Sequence, residues 1–101
     1  MTRERRMKRR PTPPGEILRD EFLTPLKMTQ KMFADHIGQD VKVVNRIING
    51  RSSVSARMAL KLAAALGTSA EFWLNAQKAV DLYEARKHLG RKLPKPLRAT
   101  G

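Results

Sequence analysis

Four polar side chains in the stretch VKVVNRIINGR recur at the spacing of a single helical face: Lys42, Asn45, Arg46 and Asn49. Residues three and four apart on a helix are neighbours, so an ammonium, a guanidinium and two carboxamides would stand together there. That set can recognise hydrogen-bond acceptors; it has no nucleophile and no acid–base pair. A guanidinium can bond both acceptors on the major-groove edge of guanine, and an ammonium can reach a base or a phosphate. Val44, Ile47 and Ile48 repeat at the same period on the opposite side. With Val41 and Val43 they would also suit a strand, but the three-and-four spacing of both sets favours a helix, capped by Asp40 and ended by Asn49-Gly50.

Other chemistries find little support. The chain has no cysteine, and its two histidines, His36 and His88, are far apart in sequence, so the expectation is no metal and no cofactor. No Ser-His-Asp order, phosphate-cradling glycine loop or framed carboxylate pair appears, so the chain is not expected to be an enzyme. Asp20, Glu21 and Asp35 fall on solvent faces by period. Phe72, Trp73 and Tyr83 share the apolar side of one helix, which suits a core or a dimer seam better than a platform for stacking bases.

The elements that must hold the polar face are helical throughout. A chain of 101 residues makes one domain with a modest core. The expected helices run from Gly15 to Leu23, stopped before Pro25, with Ile17, Leu18, Phe22 and Leu26 as the apolar face; from Thr29, a cap, through residue 37; and over residues 40–48. A fourth is capped by Ser55 and closed by Gly67. A fifth covers residues 69–87, with Phe72, Trp73, Ala76, Ala79, Val80 and Tyr83 on its apolar side.

The formal net charge is +12, and it sits mostly at the ends: residues 1–10 and 86–101 together carry +11. Residues 1–13 and 88–101 are therefore expected as basic, flexible arms around a folded unit of residues 14–87. No apolar run approaches the roughly 18 residues of a membrane span, which leads to the expectation of a cytoplasmic protein without a membrane partner.

A short second helix, a turn and a third helix with a polar stripe describe a helix-turn-helix unit. The segments PPGEILRDEFLTPL, MTQKMFADHIG, VNRIINGR and SARMALKLAAALGTSAEFWLNAQKAVDLY, spanning residues 13–83, resemble HigA-type antitoxins of the Xre and Cro/CI repressor-like family. The block MALKLAAALGTSAEFWLNAQ is its most specific part. The resemblance implies an all-α, five-helix, lambda-repressor-like fold and a homodimer on a palindromic double-stranded DNA operator. It also implies a RelE-like, messenger-RNA-cleaving toxin as partner, neutralised by this protein while it represses its own operon.

Position by position, the resemblance carries DNA contact to Thr29 and Gln30, to Val41, Lys42, Asn45 and Arg46 on the reading helix, and to Asn49, Arg51 and Ser52 in the loop after it. Where many relatives have Ser-Arg-Gln-Thr this chain has Asp40-Val41-Lys42-Val43, so an operator sequence does not carry over. Phe72, Trp73, Ala76, Val80 and Tyr83 are expected at the dimer interface, since they offer more apolar surface than so small a core needs. The alternatives are a helix-turn-helix regulator with no toxin partner and a basic protein that binds RNA or membrane surfaces through its tails.

Overall fold

The structure is a computed structural model that describes residues 9–97; the expectations for residues 1–8 and 98–101 lie outside it. The described residues form five helices and no strand. Helix α1 covers residues 14–26. Helices α2 (Gln30–Ile37), α3 (Val41–Ile48), α4 (Ala56–Leu66) and α5 (Ala70–Leu89) follow, and a 3-10 turn closes the series at Gly90–Lys92. The all-α arrangement anticipated from periodicity is the one that forms.

Helix α1 departs from expectation in running through Pro25. An α-helical turn at Pro14–Ile17 opens into a π-helical stretch, Leu18–Leu23, before closing again at Thr24–Leu26. A proline inside a regular helix meets the carbonyl four residues back. In the wider π turn the Thr24 N–H bonds instead to Arg19, five residues back, which moves that turn off the proline ring. The extra residue in the turn also rotates the face that follows: Leu23 becomes buried and Leu26 stays exposed, the reverse of the simple period.

Capping sets the other boundaries. Thr29 Oγ1, Ser55 Oγ and Ser69 Oγ each accept the N–H three residues on, and Asp40 Oδ1 accepts that of Lys42 at 2.8 Å. Between α2 and α3 the chain turns in residues 38–40, and Gly38 supplies the left-handed conformation, φ 70°, that the turn requires. Helix α5 runs two residues past its expected end. Arg86, Lys87 and His88 place basic side chains at its negative C-terminal pole, and the Gly90 N–H closes on Arg86.

Ile17, Leu18, Phe33, Ala34, Val44, Ile47, Ile48, Val54, Ala59, Leu62 and Trp73 belong to one buried core. Trp73 is its largest fully covered side chain. Its ring lies 5.6 Å from Phe22 and 5.0 Å, edge on, from Phe72, and its indole N–H donates to Thr68 Oγ1 at 2.7 Å. Helix α1 meets α3 at Gly15. A Cβ there would collide with the Ile47 carbonyl oxygen and lie 2.8 Å from Ile48 Cα. Contact this close between two backbones is open to glycine alone, and it seats the C-terminal end of α3 against the first turn of α1.

Candidate nucleic-acid interface

Helix α3 has a dry side and a wet side because its core contacts are confined to a narrow stripe. Val44, Ile47 and Ile48 are buried, while Lys42, Asn45, Arg46 and Asn49 are exposed. The wet side joins the start of α2: Gln30, Val41, Lys42, Asn45 and Arg46 line one shallow hollow of about 390 Å³. Five of the nine residues expected at a DNA surface therefore form one wall, though Gln30 and Asn45 are 15 positions apart in the chain. Thr29, exposed and next to Gln30 in the chain, accepts the Met32 N–H on its hydroxyl oxygen as the cap of α2.

The wall is ordered by its own side chains. Asn49 Nδ2 donates to Asn45 Oδ1 at 3.2 Å, and Asn45 Nδ2 donates to Gln30 Oε1 at 3.0 Å. Among the described residues, Lys42, Arg46 and Arg51 form no ion pair, whereas Arg10, Arg19 and Lys31 are each paired with a carboxylate. Three cations on or next to the wall are thus not neutralised by a carboxylate. Asp40 adds one negative charge at the N-terminus of α3, where the helix dipole and the Lys42 N–H stabilise it.

Asn49, Arg51 and Ser52 form a second group, in the loop between α3 and α4. The Arg51 N–H bonds back to the Arg46 carbonyl at 2.8 Å, and the Gly50 N–H to Ile47 at 3.0 Å. Arg51 and Ser52 line a separate hollow of about 360 Å³ with Arg10, Gln77, Asp81 and Glu84. The loop is fastened to α5 by Gln77, whose Oε1 accepts the Val54 N–H at 3.0 Å and whose Nε2 donates to Asp81 at 3.0 Å. Sequence reasoning missed Gln77 and the Arg10–Glu84 ion pair, 3.2 Å, that lays the end of the N-terminal arm along α5. The i, i+4 spacing of Gln77 and Asp81 was readable; the partners across the fold were not. On α1, Arg19 holds the Asp20 carboxyl below its usual range through a direct hydrogen bond, and the same contact raises the Arg19 guanidinium.

The five residues expected at a dimer seam divide. Trp73 is 0% exposed and Val80 8%, so both are covered by their own chain and have next to no surface for a partner. Helical spacing placed them on the apolar side of α5 correctly, but that side meets α1 and α4. Phe72, 40% exposed, and the half-buried Ala76 and Tyr83 remain accessible. Leu82 and Leu89, 44% and 41% exposed and seven residues apart, are apolar surface outside the expected set. Among the described residues there is no group of three metal-ligating side chains, and no helix is long and apolar enough to cross a membrane.

Known proteins share this arrangement. The pattern of the Helix-turn-helix family matches residues 18–73, more than half of the chain. Antitoxin HigA-1 of Vibrio cholerae is 46% identical over 92% of this chain and 90% of its own length. The HTH-type transcriptional regulator YbaQ of Escherichia coli is 37% identical over 80% of this chain and 72% of its own. Among solved structures, Pseudomonas aeruginosa antitoxin HigA with the higBA promoter superposes with a TM-score of 0.84, at 36% identity, over 88% of this chain and all of that one. Antitoxin GraA in complex with its operator gives 0.80 at 38% identity, over 89% and 95%. With the recognition wall, the residues matched and this degree of identity over nearly the full length, the chain belongs to the helix-turn-helix family, in its HigA-type antitoxin branch.

Proposed function

We propose that this protein binds double-stranded operator DNA through α3, as a homodimer, and represses the transcription of its own operon. The observation that carries the reading is the wall of Gln30, Val41, Lys42, Asn45 and Arg46: a solvent face with unpaired cations on a helix whose other face is locked in the core. Support comes from the relatives solved on promoter or operator DNA. Arg51, Ser52 and the first turn of α2 serve as phosphate contacts on either side of the wall. The outer surface of α5, with Phe72, Ala76, Leu82 and Tyr83, is the seam for a second copy. Half-sites then lie about 34 Å apart, one helical turn of DNA.

The second half of the reading is that the protein neutralises an mRNA-cleaving toxin encoded beside it, supported by its identity to HigA-1. The alternative is a helix-turn-helix regulator that acts without a toxin partner. Two experiments test these readings. Titration of the full chain onto the duplex upstream of its own coding sequence must show binding that an unrelated duplex of equal length does not compete. Co-expression with the neighbouring gene product must restore growth that the product alone arrests; failure there leaves the lone regulator.

A further inference from the structure

Asn45 differs from the other polar residues of the wall in that both ends of its carboxamide are already held. Its Nδ2 donates to Gln30 Oε1 at 3.0 Å, and its Oδ1 accepts from Asn49 Nδ2 at 3.2 Å. A carboxamide has two N–H donors and two acceptor lone pairs. One of each is used inside the protein, so one donor and one acceptor remain for a ligand, in an order the two neighbours set.

We propose that Asn45 reads an adenine in the major groove, and that Gln30 and Asn49 are positioning residues that fix which way its amide faces. The inference deepens the DNA-binding reading and rests on it. Adenine presents an acceptor, N7, beside a donor, the N6 amine, and an amide with one donor and one acceptor pairs with both. Guanine presents two acceptors, N7 and O6, so the fixed Oδ1 would meet a second lone pair. Thymine and cytosine satisfy one half of the amide and leave the other unpaired. A free asparagine rotates its amide by half a turn without loss to suit a different edge; here that half-turn breaks both hydrogen bonds unless Gln30 and Asn49 turn with it, so the two neighbours make the contact more selective. Arg46, next along the chain and free of any ion pair, has donors and no acceptor. The two neighbours thus select different purines.

Arg51 and Lys42 offer no comparable lock: neither side chain forms an ion pair among the described residues. The held amide is the feature of the wall with a built-in direction.

The test is selection of duplexes from a random-sequence pool by the full chain, followed by titration of the selected duplex. The expected result is one adenine per half-site, at which 7-deazaadenine, lacking N7, weakens binding about tenfold. Asn45→Ala should lose both the adenine preference and the sensitivity to 7-deazaadenine. Gln30→Leu, which removes the acceptor for Nδ2, should cut the adenine preference severalfold while leaving the melting temperature in place. Gln30→Glu, which keeps an acceptor there, should restore the adenine preference even if overall affinity falls. An adenine preference unchanged in Asn45→Ala, or unchanged in Gln30→Leu, overturns the inference, as does a selected site with guanine but no such adenine. A wild-type chain that selects no sequence at all overturns the DNA-reading proposal with it.

Discussion

Helices α3 and α5 both carry apolar residues at helical spacing, and the two sets have different fates. In α3, eight residues long, Val44, Ile47 and Ile48 form a narrow stripe buried in the core against α1 and α2. Val41 and Val43 flank it half-buried, and the polar side chains of that helix face solvent. In α5, twenty residues long, Trp73 and Val80 are buried while Phe72, Leu82 and Leu89 look outward from other sides. Periodicity tells which residues share a face; it does not tell whether the face meets the same chain or another. A narrow stripe leaves one answer, whereas a broad one is shared between core and surface.

The sharpest way to break this comparison is Trp73→Ala. As a covered core residue it should lower stability by about 3 to 5 kcal/mol and strip Thr68 Oγ1 of its donor. Urea melts at two protein concentrations measure it. A loss that appears only on dilution, with the melt otherwise unchanged, would return Trp73 to the dimer seam. Ile47→Ala, on the dry stripe of α3, should cost about 2 to 5 kcal/mol and lose DNA binding only through loss of fold.

Next in size is Gly15→Ala, which tests what seats α3. The added Cβ meets Ile47 and Ile48 backbone rather than a side chain that can swing aside, so an overpacking loss of roughly 1 to 3 kcal/mol is expected. Small-angle scattering and melting together check that the fold survives with α1 and α3 pushed apart. A neutral result would mean that the close approach relaxes freely.

How much of this was legible in the sequence follows from the same contrast. The five helices, their caps at Thr29, Asp40, Ser55 and Ser69, and the two faces of α3 all depend on local spacing and cap chemistry, and they could be read directly. The π turn was hidden because Pro25 looked like a stop, and only packing shows how a helix can widen to pass it. Trp73 was read as core or dimer seam, and its complete burial puts it in the core. The Gln77 bond to Val54 and the Gln30–Asn45 bond depend on which elements cross. Spacing within one element carries no information about a partner 15 or 23 residues away.

Arg46→Ala should leave the melt untouched and weaken operator binding by about 1 to 3 kcal/mol, with relaxed preference at one position per half-site. The comparison predicts this separation of stability from affinity: on α3 the wet face takes no part in the core. Parallel thermal melts and operator titrations read both quantities. A variant that binds with wild-type affinity and preference would make α3 a structural helix only.

The smallest effect belongs to the outer edge of α5, where Glu84 receives Arg10 from the end of the arm. Both side chains are about half exposed at 3.2 Å, and pairs of that kind contribute roughly 0.2 to 1 kcal/mol, less as salt screens them. The arm has other holds, since Pro11 and Pro13 are half-buried and Pro14 is buried. Glu84→Gln should therefore shift the melt by under about 1 kcal/mol at low salt, with the shift fading as salt is raised. Melts of both proteins across a salt series measure this. A large loss that salt does not reduce would mean that the arm is held by desolvated charge, and that this edge of α5 belongs with Trp73 in the core rather than with the surface.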